Sequence, residues 1–292
     1  QACISLLSNY EEDVTSKSRD IVTEMAIRLI SKTSSIVATW QRIRNDEEPI
    51  KADPKLNHAS NFLYMVSGKY PSKEVSHFFD TCLVLHAEHS FNASTFSARE
   101  VASTRAHIYS AVSAAVGSLS GELHGGANQR VMEMLQKIDS VENVDNYIEN
   151  ELAKGRKVMG LGHAVYQVDD PRALILAPMS KRMGELAGET KWYEMSQLLE
   201  KNAKEVFKKK KNMDIYVNVD FYSASLYHSM GIPVDLFTPI FAVSRVSGWV
   251  AHVLEEQFAE AAPKPVLYRP ESEYIGDYCG PAECFLEDLE ER

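Results

Sequence analysis

What this chain of 292 residues has little of narrows it first. Four cysteines, at positions 3, 82, 279 and 284, are too few and too scattered for a disulfide framework or a Cys-x-x-Cys zinc site. A reducing, intracellular compartment is the expectation. No secretory signal is visible at the N-terminus, which opens on Gln1. Eleven prolines and fourteen glycines exclude collagenous and low-complexity classes, and 45% hydrophobic residues exclude a disordered chain. Basic charge is scarce. Thirty-one Lys and Arg against forty-one Asp and Glu leave a formal charge of −10. The conspicuous basic run is Lys208 to Lys211, so a nucleic-acid-binding face is not expected. An uninterrupted membrane-length apolar run is missing too. The most apolar stretch, Ile232 to Leu254, carries Asp235, Arg245, His252 and two prolines, which reads as a buried helix.

What is present is helical periodicity. Ile21, Val22, Met25, Leu29, Ile36, Val37 and Trp40 recur mostly at three- and four-residue steps, predicting one long helix over 16–44. Helices are predicted over 57–67 and 72–86, broken at Gly68 and Pro71. The Ala/Ser/Gly-rich stretch 108–119 predicts a helix that neighbours approach closely. Further helices are predicted after His124-Gly125-Gly126, over 141–153, 173–186, 192–209, 222–230 and 234–260. The segment 216–220 alone has a strand-like flavour. The fold class is therefore all-α.

Several polar residues sit where chemistry is concentrated. In M-G-L-G-H-A-V-Y-Q-V-D-D-P-R (159–172), Gly160 and Gly162 permit a turn that presents His163. Asp170 caps, and Pro171 opens, a helix that presents Arg172. His124 precedes a helix start, where a histidine stays neutral and donates to developing negative charge, or serves only as a cap. Asp220 is flanked by apolar groups that raise its pKa and suit it as a base; the plainer role is an N-cap. Arg245 stands inside an apolar helix and needs an anion from the protein or a ligand. His86 and His89 share a helical face at i, i+3, a spacing that suits a metal, yet no carboxylate pair accompanies them and no metal is expected. Lys208 to Lys211 reads as a solvated helix end, with polyphosphate binding as the sharper reading. Three arginines with His89 suit a dicarboxylate. A polarising histidine and a carboxylate base suit carbon–carbon bond formation of the aldol or Claisen type.

Those residues lie in G-E-L-H-G-G-A-N (121–128), G-L-G-H-A-V-Y (160–166), D-P-R-A (170–173), N-V-D-F-Y-S (218–223), F-A-V-S-R-V-S-G-W (241–249) and Y-R-P (268–270). With H-A-E-H-S-F-N-A-S (86–94) and N-F-L-Y-M (61–65), the set resembles the citrate synthase family in order and approximate spacing, from about Asp20 to Gly276. The resemblance implies a multi-helical fold with a discontinuous large domain (1–124 and 223–292) and a smaller closing domain (125–222). It implies an acyltransferase of the tricarboxylic acid cycle that condenses oxaloacetate with acetyl-CoA and then hydrolyses citryl-CoA. His124, His163 and Asp220 would be catalytic. His89, Arg172, Arg245 and, across a dimer interface, Arg269 would bind oxaloacetate. Gly160, Leu161, Gly162, Ala164 and Val165 would lie against CoA, a co-substrate rather than a tightly bound cofactor. A cytoplasmic homodimer or higher homo-oligomer is expected, with no nucleic-acid or membrane partner.

Four departures from the family stand out. The family's N-terminal portion has no counterpart here. Gln167 replaces a basic residue near the CoA phosphates. Ala224 replaces a glycine after Asp220. Glu122 replaces a proline before His124, where its charge would raise the histidine's pKa. The alternatives are a 2-methylcitrate synthase using propionyl-CoA, a citryl-CoA lyase, and a non-catalytic assembly protein of the same fold. Retention of every residue with a direct chemical role argues against the last.

Overall fold

The computed structural model describes residues 1–156, 158–162, 168–258 and 266–276. Twelve α-helices follow in chain order among them. They are α1 (Ala2–Leu7), α2 (Arg19–Ile43), α3 (His58–Ser67), α4 (Lys73–His86), α5 (Ala93–Ser103) and α6 (Ile108–Leu119). Then come α7 (Ala127–Ile138), α8 (Val144–Ala153), α9 (Pro171–Ala187), α10 (Lys191–Lys211), α11 (Val219–Ser229) and α12 (Phe237–Phe258). Among the described residues there is no β-strand. The strand-like character of 216–220 survives as a single antiparallel bridge between Leu161 and Val217. The all-α expectation holds.

Local chemistry explains where many helices start. The side chains of Asn57, Ser72, Asn92, Asp170 and Asn218 each accept a hydrogen bond from a backbone N–H of the turn they open, on α3, α4, α5, α9 and α11. Pro171 occupies the first position of α9, where its missing N–H costs nothing. One expectation needs correcting. The cap of α11 is Asn218, not Asp220, so the Asp220 carboxyl is not consumed by capping.

Burial gathers around two apolar clusters. One joins α3, α4 and α7 to α11 with the first half of α12; its members include Phe62, Phe79, Leu135, Leu199, Phe221 and Phe237. The other joins α1, α2, α5 and α6 with the second half of α12 and includes Leu29, Tyr109, Val246 and Trp249. Each large apolar side chain buried this way contributes roughly 1.5–3 kcal/mol before entropy is charged. Helix α12 belongs to both clusters and packs against α2, α4, α5, α6 and α7. It therefore links both cores to whatever its buried polar residues hold.

Close approach matters where α12 passes the end of α4. A Cβ built on Gly248 would lie 2.3 Å from the Ala87 carbonyl oxygen, a backbone atom that cannot swing away. Gly248→Ala is expected to destabilise the fold by about 1–3 kcal/mol and to displace the 87–92 connection that carries His89. Urea unfolding checks this; an unchanged midpoint would show that the two backbones are not in contact as described.

Candidate functional site

The site is built on the last turn of α4. Its carbonyls are left without partners by the helix and face three side chains from elsewhere. Ser244 donates to the Leu83 carbonyl. Arg172 Nη1 donates to the Leu85 carbonyl at 3.4 Å, and Arg245 Nε donates to the His86 carbonyl at 2.6 Å. Cations suit a helix C-terminus, so α4 draws a guanidinium from α9 and another from α12 to one place.

The two guanidiniums are compensated differently. Asp170, fully buried, receives Arg172 Nε at 3.0 Å and Nη2 at 2.7 Å while also capping α9 through the Arg172 N–H. Arg245 is 2% exposed and stacks its guanidinium 4.7 Å over the Phe241 ring. Among the described residues no carboxylate forms an ion pair with it. Burial and the neighbouring Arg172 charge push its pKa down to about 10. Sequence expected this arginine to need an anion, and the described residues do not supply one at pairing distance.

Asp220 lies close enough to feel both guanidiniums. Burial raises its pKa to about 6, against the pull of Arg172, Arg245 and Arg130 and with the push of Asp170. No side chain of the described residues donates a hydrogen bond to its carboxyl.

His124 sits in the 121–126 turn before α7, half-buried. The Ser94 N–H lies 3.2 Å from its Nε2, and the Ser94 hydroxyl lies 2.8 Å from the same atom. A backbone N–H can only donate, so Nε2 accepts and the proton rests on Nδ1. The Ser94 hydroxyl in turn accepts from Trp249 Nε1 at 3.1 Å. Burial and the Arg245 charge lower the His124 pKa and keep the ring neutral. The rise expected from Glu122 does not occur: Glu122 is exposed, and its backbone carbonyl is what engages the site, through Arg130.

The remaining candidates are placed less evenly. Gly160, Leu161 and Gly162 form a turn pinned to the start of α11. Gly162 N–H donates to the Tyr216 carbonyl at 2.7 Å, and Asn218 N–H donates to the Gly160 carbonyl at 3.0 Å. Gly160 has φ +77°, and a Cβ there would meet Phe221 Cδ2 at 2.6 Å, so only glycine fits. His163, Ala164, Val165 and Gln167 lie outside the described residues. His89 is half-buried in the 87–92 connection. Because α4 ends at His86, His86 and His89 do not share a helical face, and among the described residues no group of three potential ligands is arranged for a metal. Arg269 stands exposed, with no site side chain of its own chain touching it among the described residues. Tyr268 beside it is clamped, donating to Glu256 at 2.6 Å and stacking on Phe96 with centroids 6.0 Å apart. Lys208 pairs with Asp214 at 2.8 Å and Lys209 with Glu205 at 3.7 Å, the solvated helix end of the plainer reading.

Reading the sequence missed Ser94 and the Phe241 ring, and it weighed His86 only as a partner of His89 for a metal. His86 Nδ1 bonds the Cys82 carbonyl at 2.8 Å, its Nε2 has no partner among the described residues, and burial pushes its pKa down to about 4. No spacing signal links Ser94 to a histidine 30 residues on. Phe241 was legible in part, lying four residues before Arg245 on the same helical face.

Comparison with known proteins bears on this arrangement. The family profile described as "Citrate synthase, C-terminal domain" matches residues 1–271. The citrate synthase of Haloferax volcanii is 46% identical over 280 residues, covering 94% of this chain and 70% of that protein. The chain belongs to the citrate synthase family. A 2-methylcitrate synthase of Shewanella oneidensis is also similar, 37% identical over 273 residues, 93% of this chain and 69% of that one. A solved citrate synthase from the archaeon Thermoplasma acidophilum, in a ternary complex with carboxymethyl coenzyme A and oxaloacetate, superposes with a TM-score of 0.86 at 29% identity. That match covers 100% of this chain and 74% of the other. The chain spans 62% of the length of a Synechocystis citrate synthase and 74% of the length of citrate synthase 2 of Bacillus subtilis. Family membership makes a citrate synthase-type transferase the class to which the site belongs. No helix among the described residues is long and apolar enough to cross a membrane.

The raised Asp220 pKa has a consequence for stability. A folded-state value above the usual 3.8 means the fold favours the neutral acid. That stabilisation is complete below about pH 4 and is lost as pH rises through about 6. Asp220→Asn keeps the shape without the charge. In urea unfolding at pH 8 the variant is expected to be more stable by about 1–2 kcal/mol, the gain shrinking toward pH 4. A variant no more stable at pH 8 would show the carboxyl is not desolvated.

Proposed function

We propose that the chain condenses oxaloacetate with acetyl-CoA and hydrolyses the resulting citryl-CoA to citrate and CoA. The observation that carries this is the Asp220 carboxyl, whose pKa burial raises to about 6, beside two guanidiniums of which, among the described residues, only that of Arg172 pairs with a carboxylate. Asp220 takes a proton from the methyl carbon of the acetyl thioester. His124, neutral and protonated on Nδ1, donates to the thioester oxygen as enolate charge develops. The new carbon nucleophile adds to the oxaloacetate carbonyl, whose oxygen His163 polarises and protonates. Arg172, Arg245 and His89 hold the oxaloacetate carboxylates, and Arg269 reaches them from a neighbouring subunit. Water then cleaves the thioester and releases CoA.

The turn 160–162, with Ala164 and Val165, lies along CoA in this reading. Residues 125–222 form the small domain, which closes over substrates held by 1–124 and 223–292. A homodimer acting in the cytoplasm suits the role given to Arg269.

Purified chain, oxaloacetate and acetyl-CoA are expected to release free thiol, and Asp220→Asn to lower the rate by about 10³-fold or more while sparing oxaloacetate binding by calorimetry. Binding without thiol release by the unaltered chain would reject the synthase reading. A faster rate with propionyl-CoA would shift the assignment to 2-methylcitrate synthase, since a single methylene is a weak discriminator. Native mass spectrometry is expected to find a dimer; an active monomer would remove the cross-subunit role of Arg269.

A further inference from the structure

A guanidinium occupies an unfavourable place beside this site. Arg130 lies at the end of the first turn of α7, four residues after the Gly126 cap. A cation there opposes the helix dipole, which favours anions at that end. Its Nη1 donates 2.6 Å to the Glu122 carbonyl, inside the turn that carries His124. To reach that oxygen the side chain folds back over Gly126, where an added Cβ would lie 3.1 Å from Nη1. Arg130 is half-buried, and no carboxylate of the described residues pairs with it. A cation set against a dipole, with no counter-ion among the described residues, holding a turn through its bond to Glu122, calls for a reason beyond helix stability.

The helices around Asp220 supply the other charges that bear on it. Arg172 and Asp170 come from the start of α9 and Arg245 from α12, while Tyr227 lies on α11 itself. On α10, Glu200 is engaged by Lys204 at 2.6 Å and by the Tyr222 hydroxyl. From α7 the contribution is Arg130. Arg172 and Arg245 are bound to the end of α4, the oxaloacetate end of the proposed site. Arg130 is bound to the His124 turn instead.

We infer that Arg130 is a positioning residue for the enolising half of the site, locking the His124 turn through the Glu122 carbonyl and supplying that half with a cation separate from the pair at the α4 end. This rests on the condensation proposed above. Two effects follow. Without the Glu122 bond the turn loosens and His124 loses its fixed aim. Without the charge, Asp220 is harder to ionise, because Arg130 favours its carboxylate form.

The test compares Arg130→Gln with Arg130→Lys. For the Gln variant kcat is expected to fall about 10-fold, with KM for oxaloacetate within about twofold of the unaltered chain. The acid limb of its kcat/KM profile is expected to move up by about half a pH unit. Arg130→Lys keeps the charge and is expected to restore the acid limb while recovering kcat only in part. A Gln variant with unchanged kcat and acid limb would overturn the inference, as would a Lys variant whose acid limb moves as far as that of Gln. A carbon-13 titration of the Asp220 carboxyl reads the charge effect without turnover, and its pKa is expected to rise in Arg130→Gln. If the unaltered chain releases no thiol, the condensation fails on its own account. The carboxyl titration still decides on Arg130, and an unmoved Asp220 would overturn its role.

Discussion

The carbonyls at the end of α4 are the constraint on which the site depends. A helix C-terminus buried in a core must have its last acceptors satisfied. Here the partners of Leu85 and His86 are the guanidiniums of Arg172 and Arg245. One requirement of backbone chemistry thus fixes two side chains 73 positions apart in sequence. It also forces two like charges together at low exposure. Arg245 bears the cost, held down to about 10, and Asp170 relieves Arg172 alone. With Asp170 counted, the pair keeps one net positive charge in a desolvated place, which an anion would neutralise.

Asp220 responds to the same charges. Burial is the largest influence on its pKa, Arg172 and then Arg245 pull it down, Asp170 pushes it up, and it settles at about 6. A base of that strength is ionised at neutral pH yet remains reactive. His124 is tuned by the same Arg245 charge in the opposite chemical sense. The guanidinium disfavours a second proton on the ring, so the histidine stays a neutral donor.

Much of this was legible in the chain, and the reasons differ by residue. Helix starts at 57, 72 and 170 follow from side-chain caps, a purely local property, and the structure has them. Arg245 stood out because a guanidinium amid Phe241, Val243, Val246 and Val250 violates the pattern around it. The motifs carried the family. What escaped was chemistry made by contact between distant segments. Ser94 fixes the His124 tautomer, and Trp249 orients Ser94, through a chain of bonds with no sequence spacing. The α11 cap went to Asn218 rather than Asp220 because the helix begins at Val219, three residues before the predicted start at 222. The short bridge at Val217 explains the strand-like pattern of 216–220, and it also explains why it fades into a helix.

That bridge is the step by which the glycine turn and the base become one unit. Leu161 pairs with Val217, the Gly160 carbonyl accepts from the Asn218 N–H, and the Val217 carbonyl accepts from the Asp170 N–H at 3.0 Å. Asn218 caps the helix on which Asp220 is the second residue, and Asp170 holds Arg172. A displacement of the 160–162 turn would therefore be felt at once by the carboxylate base and by the arginine that tempers it. Three backbone hydrogen bonds, rather than a long pathway, join the turn to the start of α11 and to Asp170. In the condensation proposed above, so short a linkage has a direct use: the turn that would lie along CoA and the carboxylate that would take the proton are held by the same few peptide units.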